Sequence, residues 1–180
     1  MGDTKSMPYD KALARLMSMS DEVWERHSNP WSGWTRLALF PLWFLAIWSR
    51  VWIGWWALLP IAVLLICTWL NPRVFPRHTD DRSWMTRAVL GERMFIERRI
   101  RPIPPDDVRT GHVLNILALA ALGVALYGFL RAHFAFALAG WLFAGFFKIL
   151  FVARMARLYS RTKQEGGGRG NELRRRQRDA

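Results

Sequence analysis

The sequence predicts an all-α, polytopic membrane protein with four transmembrane helices, arranged as two hairpins with an amphipathic helix on the cytoplasmic side. Three observations lead to this prediction. Apolar residues make up 52% of the chain, and they are concentrated in long blocks with the charged residues between them. The two main blocks, residues 35–70 and 113–152, are each too long for one crossing. Nearly all basic residues then fall on one side of the membrane.

The first block, residues 35–70, predicts two spans. As one helix its 36 residues would be about 54 Å long, whereas the hydrocarbon core of a bilayer is about 30 Å thick. The only charged residue after Arg36 in this block is Arg50, so the chain is expected to turn there. The predicted spans are therefore about 35–48 and 52–70. Tryptophans cluster at their ends, as is typical of membrane interfaces.

Residues 1–28, which precede the first block, are predicted to form a cytoplasmic amphipathic segment. Apolar residues recur there among charges at a spacing compatible with short helices. Ser20 followed by Asp21 and Glu22 is typical of a helix start, because a hydroxyl can accept from free amides and early acids complement the helix dipole.

The loop between the blocks, residues 71–112, is polar and is predicted to contain an amphipathic helix over residues 81–101, which Ser83 can cap. Glu92 falls on the apolar face of this helix, where a carboxylate without a partner is costly. Its candidate partners at the same membrane level are Arg36, Arg73, Lys148 and Arg154. The alternative is that Glu92 reaches water at the edge of that face. The proline-rich residues 101–105 (RPIPP) predict an extended connector.

The second block predicts spans over residues 113–130 and 134–152, joined by a tight turn at 131–133. Small residues share one face of each span, which allows two helices to approach closely in lipid. They are Ala118, Ala121, Ala125 and Gly128 on one span and Ala137, Gly140 and Ala144 on the other. The tail, residues 160–180, is basic and lacks apolar periodicity, so it is predicted to be disordered.

The distribution of charge predicts the threading. With four spans, 24 of the 26 Lys and Arg residues lie on the side of the two termini, and only Arg50 and Arg131 lie on the other. The positive-inside rule therefore places both termini in the cytoplasm of a cell with an inner membrane. This asymmetry also accounts for the net charge of +12 without nucleic acid, which is disfavoured as a partner. Anionic lipid headgroups are the expected contact of the basic side.

No catalytic or metal-binding signature is present. The sequence has four histidines, which are His27, His78, His112 and His133. The last lies opposite the others in the predicted threading, and no pair has a metal-binding or haem-binding spacing, so no metal and no cofactor are predicted. The triple glycine at 166–168 lacks the strand and helix of a phosphate loop. The first three spans hold no acid or base away from their ends, which disfavours ion-coupled transport.

The remaining candidates form a collar of polar and aromatic residues at the cytoplasmic ends of the spans. Arg and Trp at headgroup depth can hold a phosphate or carboxylate while an apolar tail lies between spans. The alternative is that the collar fixes the helix ends to one another and to lipid phosphates. The collar candidates are His27, Asn29, Trp31, Trp34, Arg36, Asn71, Arg73, Trp84, Glu92, Arg93, Lys148 and Arg154.

Several of these segments resemble a known family. They are residues 26–36 (RHSNPWSGWTR), 48–56 (WSRVWIGWW), 69–76 (WLNPRVFP), 89–93 (VLGER) and 154–155 (RM). Over residues 24–159 the chain is similar to small prokaryotic integral membrane proteins that are catalogued only as a domain of unknown function. The resemblance implies a four-span membrane protein and does not indicate an activity. The family typically carries an acid before the Arg-Met pair, where this chain has Ala153.

For function, the sequence favours a non-catalytic accessory or scaffold protein that binds lipid or a membrane partner. The alternative is an enzyme or carrier for an anionic amphiphile that uses Arg36, Arg73, Glu92 and Lys148. Convergence of these side chains on an open cavity would favour the enzyme or carrier, whereas pairing among themselves would favour the scaffold. A third reading, in which the basic tail recruits RNA, predicts that removing residues 169–180 abolishes that binding.

Overall fold

The computed structural model describes residues 21–100 and 102–178, and all regular secondary structure in these two ranges is helical. The all-α prediction is confirmed. The helices are α1 (Asp21–His27), α2 (Pro30–Trp48), α3 (Arg50–Ile53), a 3₁₀ turn (Gly54–Ala57), α4 (Leu58–Val74), α5 (Trp84–Ile96), α6 (Pro105–Leu130) and α7 (Phe134–Arg178).

Three stretches of the described chain are helical, long and apolar enough to cross a membrane. They are Pro30–Val74, Pro105–Leu130 and Phe134–Gly166. The sequence predicted four spans, and the difference arises in the first stretch, which combines α2 and α4 because only short helical turns separate them. These helices support the conclusion that the chain is a membrane protein.

The first stretch is interrupted where the sequence predicted a turn. α2 ends at Trp48, and α3 is only four residues long. Gly54 follows with a φ of 58° and a ψ of −130°. A side chain with a Cβ would be strained in this conformation, so glycine is required by the backbone and not by crowding.

Polar side chains join α2 to α4. The hydroxyl of Ser32 donates to Oδ1 of Asn71 at 2.7 Å, and the amide of Asn71 donates to the hydroxyl of Thr35 at 2.6 Å. Farther along α2, Nε1 of Trp43 donates to the hydroxyl of Thr68 at 3.2 Å. In an apolar environment such hydrogen bonds replace the hydrophobic force that is missing between helices.

The predicted contact of small residues between α6 and α7 is present. A Cβ on Gly140 would lie 2.3 Å from the backbone nitrogen of Ala125, and a Cβ on Gly128 would lie 2.1 Å from that of Ala137. Both distances are far below van der Waals contact, so the two helices touch backbone to backbone at these glycines.

An aromatic cluster links α2 to the pair formed by α6 and α7. Phe44 and Trp48 pack against Phe129, and the ring of Trp141 lies 6.2 Å from that of Phe44. Next to this cluster, the guanidinium of Arg50 donates to the carbonyl of Phe129 at 2.5 Å.

The amphipathic helix predicted over 81–101 is α5, which is shorter. Ser83 is its N-cap residue, but the side chain of Ser83 makes no capping hydrogen bond; nothing in the structure explains this. Its helical residues end at Ile96, and position 101 lies outside the described residues. Gly91 lies against α7, where a Cβ would meet the carbonyl oxygen of Met155 at 2.0 Å.

Two helices extend beyond the predicted spans. α6 begins at Pro105, eight residues before 113, because proline suits the first helical position and Asp106 and Asp107 complement the helix dipole. α7 continues to Arg178, which corrects the predicted disorder of the tail over residues 160–178. Arg, Lys, Gln and Glu dominate that region and favour helix, although its glycines do not. Ser20, the predicted cap of α1, lies outside the described residues.

Candidate functional site

The collar contains a buried histidine held by an arginine. His27, the last residue of α1, is only 7% exposed. The guanidinium of Arg36 lies 2.5 Å from its Nε2 and also donates to the carbonyl of Ser32 at 3.1 Å. Because a guanidinium can only donate, Nε2 must accept and the proton of the neutral ring lies on Nδ1. That Nδ1 is buried and has no hydrogen-bond partner among the described residues.

Glu92 has one of its predicted partners. Nζ of Lys148 on α7 lies 2.9 Å from Oε1 of Glu92 on α5. The Glu92 side chain is 24% exposed and that of Lys148 is 52% exposed, so the pair lies at the margin of the protein interior. The ammonium of Lys148 also lies 4.7 Å from the ring centroid of Phe151. Of the four candidate partners that the sequence offered for Glu92, Lys148 forms this ion pair.

The two pairs interact electrostatically. Burial is the main cause that lowers the pKa of His27 to about 3, and the charges of Arg36 and Lys148 add to it while that of Glu92 opposes it. For Glu92, burial alone would raise the pKa, but the attraction of Lys148 and, more weakly, of Arg36 lowers it below its ordinary value. His27 is therefore neutral and Glu92 ionised at pH 7, which leaves a cluster of one anion and two cations.

The asparagines of the collar hold the chain in place. Oδ1 of Asn29 accepts from the amide of Trp31 at 3.0 Å and so caps α2, while its side-chain amide donates to the carbonyl of Pro76 at 3.2 Å. Asn71 makes the contacts with Ser32 and Thr35 described above. Both asparagines are buried, so their polar atoms serve the fold and are not open to a ligand.

The tryptophans of the collar lie at the surface. Trp31 is 69% exposed. Trp34 on α2 and Trp84 on α5 are also exposed, and their ring centroids are 6.5 Å apart. Trp31 lies one helical turn before Trp34 on α2, and the three residues Trp31, Trp34 and Trp84 are called the aromatic surface below. Such rings are suited to the boundary between apolar tails and headgroups.

Arg73 and Arg93 make contacts with residues near them in the chain. The guanidinium of Arg73 lies 4.1 Å from the ring centroid of Trp69 and donates to the Trp69 carbonyl at 2.5 Å. Arg93 on α5 contacts Glu97, the residue that follows this helix, at 2.7 Å. Of the four residues predicted for an amphiphile site, the structure brings together Arg36, Glu92 and Lys148.

Arg154 has a partner that the sequence did not predict. Its Nε lies 2.5 Å from Oδ1 of Asp107, and the Asp107 residue is only 3% exposed. The pair joins the first turn of α6 to α7, so Asp107 provides an acid for this arginine in a chain that has Ala153 before it. The signal that could have identified Asp107 is its place behind Pro104 and Pro105, where helix starts are frequent.

A family model described as "Family of unknown function (DUF6653)" matches residues 9–173. The chain belongs to this family. The predicted resemblance to a family of unknown function is thereby confirmed. No curated protein and no solved structure matches the chain. The family has no described activity, so the function is inferred from the site.

In this member of the family, a groove of about 400 Å³ lies where α7 leaves the collar. It is lined by Asp81, Arg87, Tyr159, Ser160, Lys163 and Gln164. The hydroxyl of Tyr159 donates to Oδ2 of Asp81 at 2.9 Å, and Lys163 donates to the same oxygen. Both hydrogen bonds lower the pKa of Asp81, and the one from Lys163 has the larger effect. The sequence did not predict the groove, because its two halves are more than 70 residues apart.

Metal binding is not supported at either place. Among the described residues, no group of three His, Cys, Asp or Glu side chains could hold a metal ion. The backbone carbonyl of His78 accepts a hydrogen bond from the hydroxyl of Ser28 at 3.2 Å.

Proposed function

We propose that this protein is a non-catalytic accessory or scaffold protein of the membrane, which binds lipid or a membrane protein partner. The observation that carries the proposal is the ion pair between Glu92 and Lys148 at 2.9 Å. A site for an anionic amphiphile would leave Lys148 free to meet the ligand, whereas here its charge is engaged by α5. The pair therefore supports a role in holding α5 against the membrane helices.

The other collar contacts support the same proposal. Arg36 is engaged by His27, Arg154 by Asp107 and Asn71 by Ser32. Each contact joins two helices, so the polar residues of the collar hold the helices against one another. The aromatic surface of Trp31, Trp34 and Trp84 remains exposed, and it is the part of the collar that we expect to meet lipid or a partner.

The proposal includes four membrane crossings, with both termini in the cytoplasm of a cell with an inner membrane. α2 has 19 residues and α4 has 17, which corresponds to about 28 and 26 Å of helix, close to the thickness of a hydrocarbon core. The interruption at residues 49–57 lies between them. The excess of Lys and Arg on the proposed inner side supports the orientation.

The alternative is an enzyme or carrier that handles an anionic amphiphile at the cytoplasmic face. It requires Arg36, Glu92 and Lys148 to face a shared cavity together with Arg73. Pairing of Glu92 with Lys148, and the position of Arg73 over Trp69, count against it. The scaffold is the better supported of the two.

The proposal is tested by photo-crosslinking in intact cells. A photoreactive phenylalanine analogue is placed at Trp31 or at Trp34, and at Arg161 as an exposed control on the polar part of α7. We expect both tryptophan positions to crosslink to lipid or to the same membrane protein, and Arg161 to give neither product. Recovery of a stoichiometric small molecule bound near Glu92, by native mass spectrometry of the purified protein, would instead establish the carrier or enzyme.

A further inference from the structure

The groove between α5 and α7 contains an arginine whose charge is not used by the fold. Arg87 is half-buried on α5, and its Nε is fully buried without a hydrogen-bond partner among the described residues. A buried N–H of a charged group without a partner costs free energy, about 1–3 kcal/mol or more. Arg87 also lines the groove, so a ligand there can supply acceptors for the rest of its guanidinium group, which the described residues do not provide.

The other groove residues have hydrogen-bonding capacity to spare. Lys163 gives one N–H to Asp81 and has two more, and its side chain is 62% exposed. Gln164 contributes an amide. By contrast, the hydroxyls of Tyr159 and Ser160 already donate, to Asp81 and to the carbonyl of Ala156. The available donors are therefore cationic or amide N–H groups, which point to an anion with several acceptor oxygens.

The charge of the groove agrees with an anion. Asp81 is the one carboxylate among the residues that line the groove, and its charge is balanced by that of Lys163. The positive charge of Arg87 is therefore left unbalanced. Arg87 provides a planar fork of donors and Lys163 a point charge, a combination that suits a phosphate group. The volume of about 400 Å³ lies within the range of about 300–1,000 Å³ that is typical of small-molecule sites.

We propose that this groove binds a phosphate group, held by Arg87 and Lys163 with Gln164 at its edge. The inference goes beyond the proposed scaffold role and does not depend on it, because the groove shares no residue with the Glu92 cluster.

The position of the groove favours a soluble phosphate compound over a lipid headgroup. Ser160 lies eight residues beyond Val152, where the apolar run of α7 ends, which corresponds to about 12 Å of helix. The headgroup layer on one side of a bilayer is only about 5–8 Å thick. The groove therefore lies beyond the lipid phosphates and faces the aqueous phase.

Calorimetric titration with inorganic pyrophosphate tests the proposal. The full chain is reconstituted in nanodiscs of phosphatidylcholine, in buffer free of phosphate and sulfate. We expect saturable binding of one pyrophosphate per chain. Arg87→Gln and Lys163→Gln should each weaken the affinity by about tenfold or more, because each removes a charged donor.

A matched control separates the groove from the general positive charge of the chain. Arg82→Gln removes the same charge five residues from Arg87, but Arg82 is 92% exposed and does not line the groove. Its affinity should stay within about twofold of that of the unmodified protein. If Arg87→Gln does not fold, as judged by tryptophan fluorescence and gel filtration, the half-exposed Lys163→Gln tests the same site.

A second set of nanodiscs, containing phosphatidylglycerol, identifies the source of the phosphate. If these discs prevent pyrophosphate binding, the groove takes a lipid headgroup; if binding is unchanged, it takes a soluble compound. Both outcomes support the phosphate site. The proposal is overturned if the unmodified chain shows no saturable binding, or if both groove variants bind as well as Arg82→Gln does.

Discussion

Lys148 and Glu92 join the membrane helix α7 to the amphipathic helix α5 across 56 positions of sequence, with 2.9 Å between their charged atoms. Both residues belong to the cluster that also contains His27 and Arg36. The consequence is that α5 is held against α7 by charge as well as by the apolar contact of Phe95 with Phe151.

We expect Lys148→Met to destabilise the protein by about 2–3 kcal/mol, because it leaves the Glu92 carboxylate partly buried without its main partner. The upper end of the range for buried pairs is not expected, since Lys148 is half-exposed and water screens the pair. Unfolding in mixed detergent, followed by the fluorescence of the 11 tryptophans, measures the change.

The double variant Glu92→Gln/Lys148→Met is the matched control. It removes both charges, so most of the lost stability should return. If Lys148→Met alone proves neutral, the ion pair does not hold α5, and the proposed scaffold role loses its main support.

A second prediction concerns pH and His27. The folded protein lowers the pKa of His27 to about 3, whereas an unfolded chain has the ordinary histidine pKa of about 6.5. Between these values the unfolded state binds more protons, so the free energy of unfolding falls as the pH decreases. Below pH 6.5 we expect a loss approaching about 1.4 kcal/mol per pH unit.

The variant His27→Gln isolates this effect. Its amide oxygen can still accept from Arg36, but it does not titrate. Between pH 7 and about 5 the carboxylates remain ionised, so in this window the variant should lose much less stability than the unmodified protein. Equal slopes for the two proteins would show that His27 takes up its proton in the folded state.

The helical class and the contacts of small residues could be predicted from the sequence because both depend on local spacing. Apolar blocks bounded by charge define the membrane helices, and a stripe of alanine and glycine defines the contact of α6 with α7. The interruption near Arg50 could also be predicted, because the thickness of a bilayer limits the length of a straight transmembrane helix.

The ion pairs and the groove could not be predicted, because they depend on how α5 docks against α7. Glu92 had four candidate partners in the sequence, and it pairs with Lys148 in a structure where Gly91 of α5 lies against Met155 of α7. Asp107 was missed because the helix of the second block was expected to begin at residue 113. Arg87 and Lys163 come together from segments whose local patterns have no relation to each other.

A third prediction uses two glycines of the paired helices α6 and α7. Gly140→Ala should destabilise the protein by about 1–3 kcal/mol, because the new Cβ would lie 2.3 Å from the backbone nitrogen of Ala125 and would force the helices apart. Gly123→Ala is the control, since nothing lies within 4 Å of its Cβ position. It should be neutral or stabilising by up to about 1 kcal/mol, owing to the better helix propensity of alanine.

The test compares the thermal stabilities of these two variants. Thermal unfolding in one detergent should rank Gly123→Ala at or above the unmodified protein and Gly140→Ala below it. The opposite order would mean that α6 and α7 do not touch at Gly140.

A fourth prediction concerns Arg50, whose guanidinium donates to the carbonyl of Phe129 in the last turn of α6. Arg50→Gln should lower the free energy of unfolding by about 1–2 kcal/mol, because it removes a charged donor from the negative end of a helix dipole. Arg131→Gln removes an exposed charge from the neighbouring turn and should change stability by less than about 0.5 kcal/mol. Equal effects of the two variants would contradict the contact.

The last prediction tests the four crossings. In a Cys67→Ala background, which removes the single cysteine, one new cysteine is placed at Trp55, Arg82 or Arg131, all of which are exposed. Four crossings put Trp55 and Arg131 on the outer side and Arg82 on the inner side. A membrane-impermeant maleimide added to intact spheroplasts should therefore label the first two, and should label Arg82→Cys only after lysis. If residues 30–74 instead crossed the membrane once, Trp55→Cys would lie within the bilayer and resist labelling, and Arg82 and the N-terminal segment would lie on opposite sides. Labelling of Arg82→Cys in intact spheroplasts together with protection of Trp55→Cys would thus replace the four-crossing arrangement by one of three.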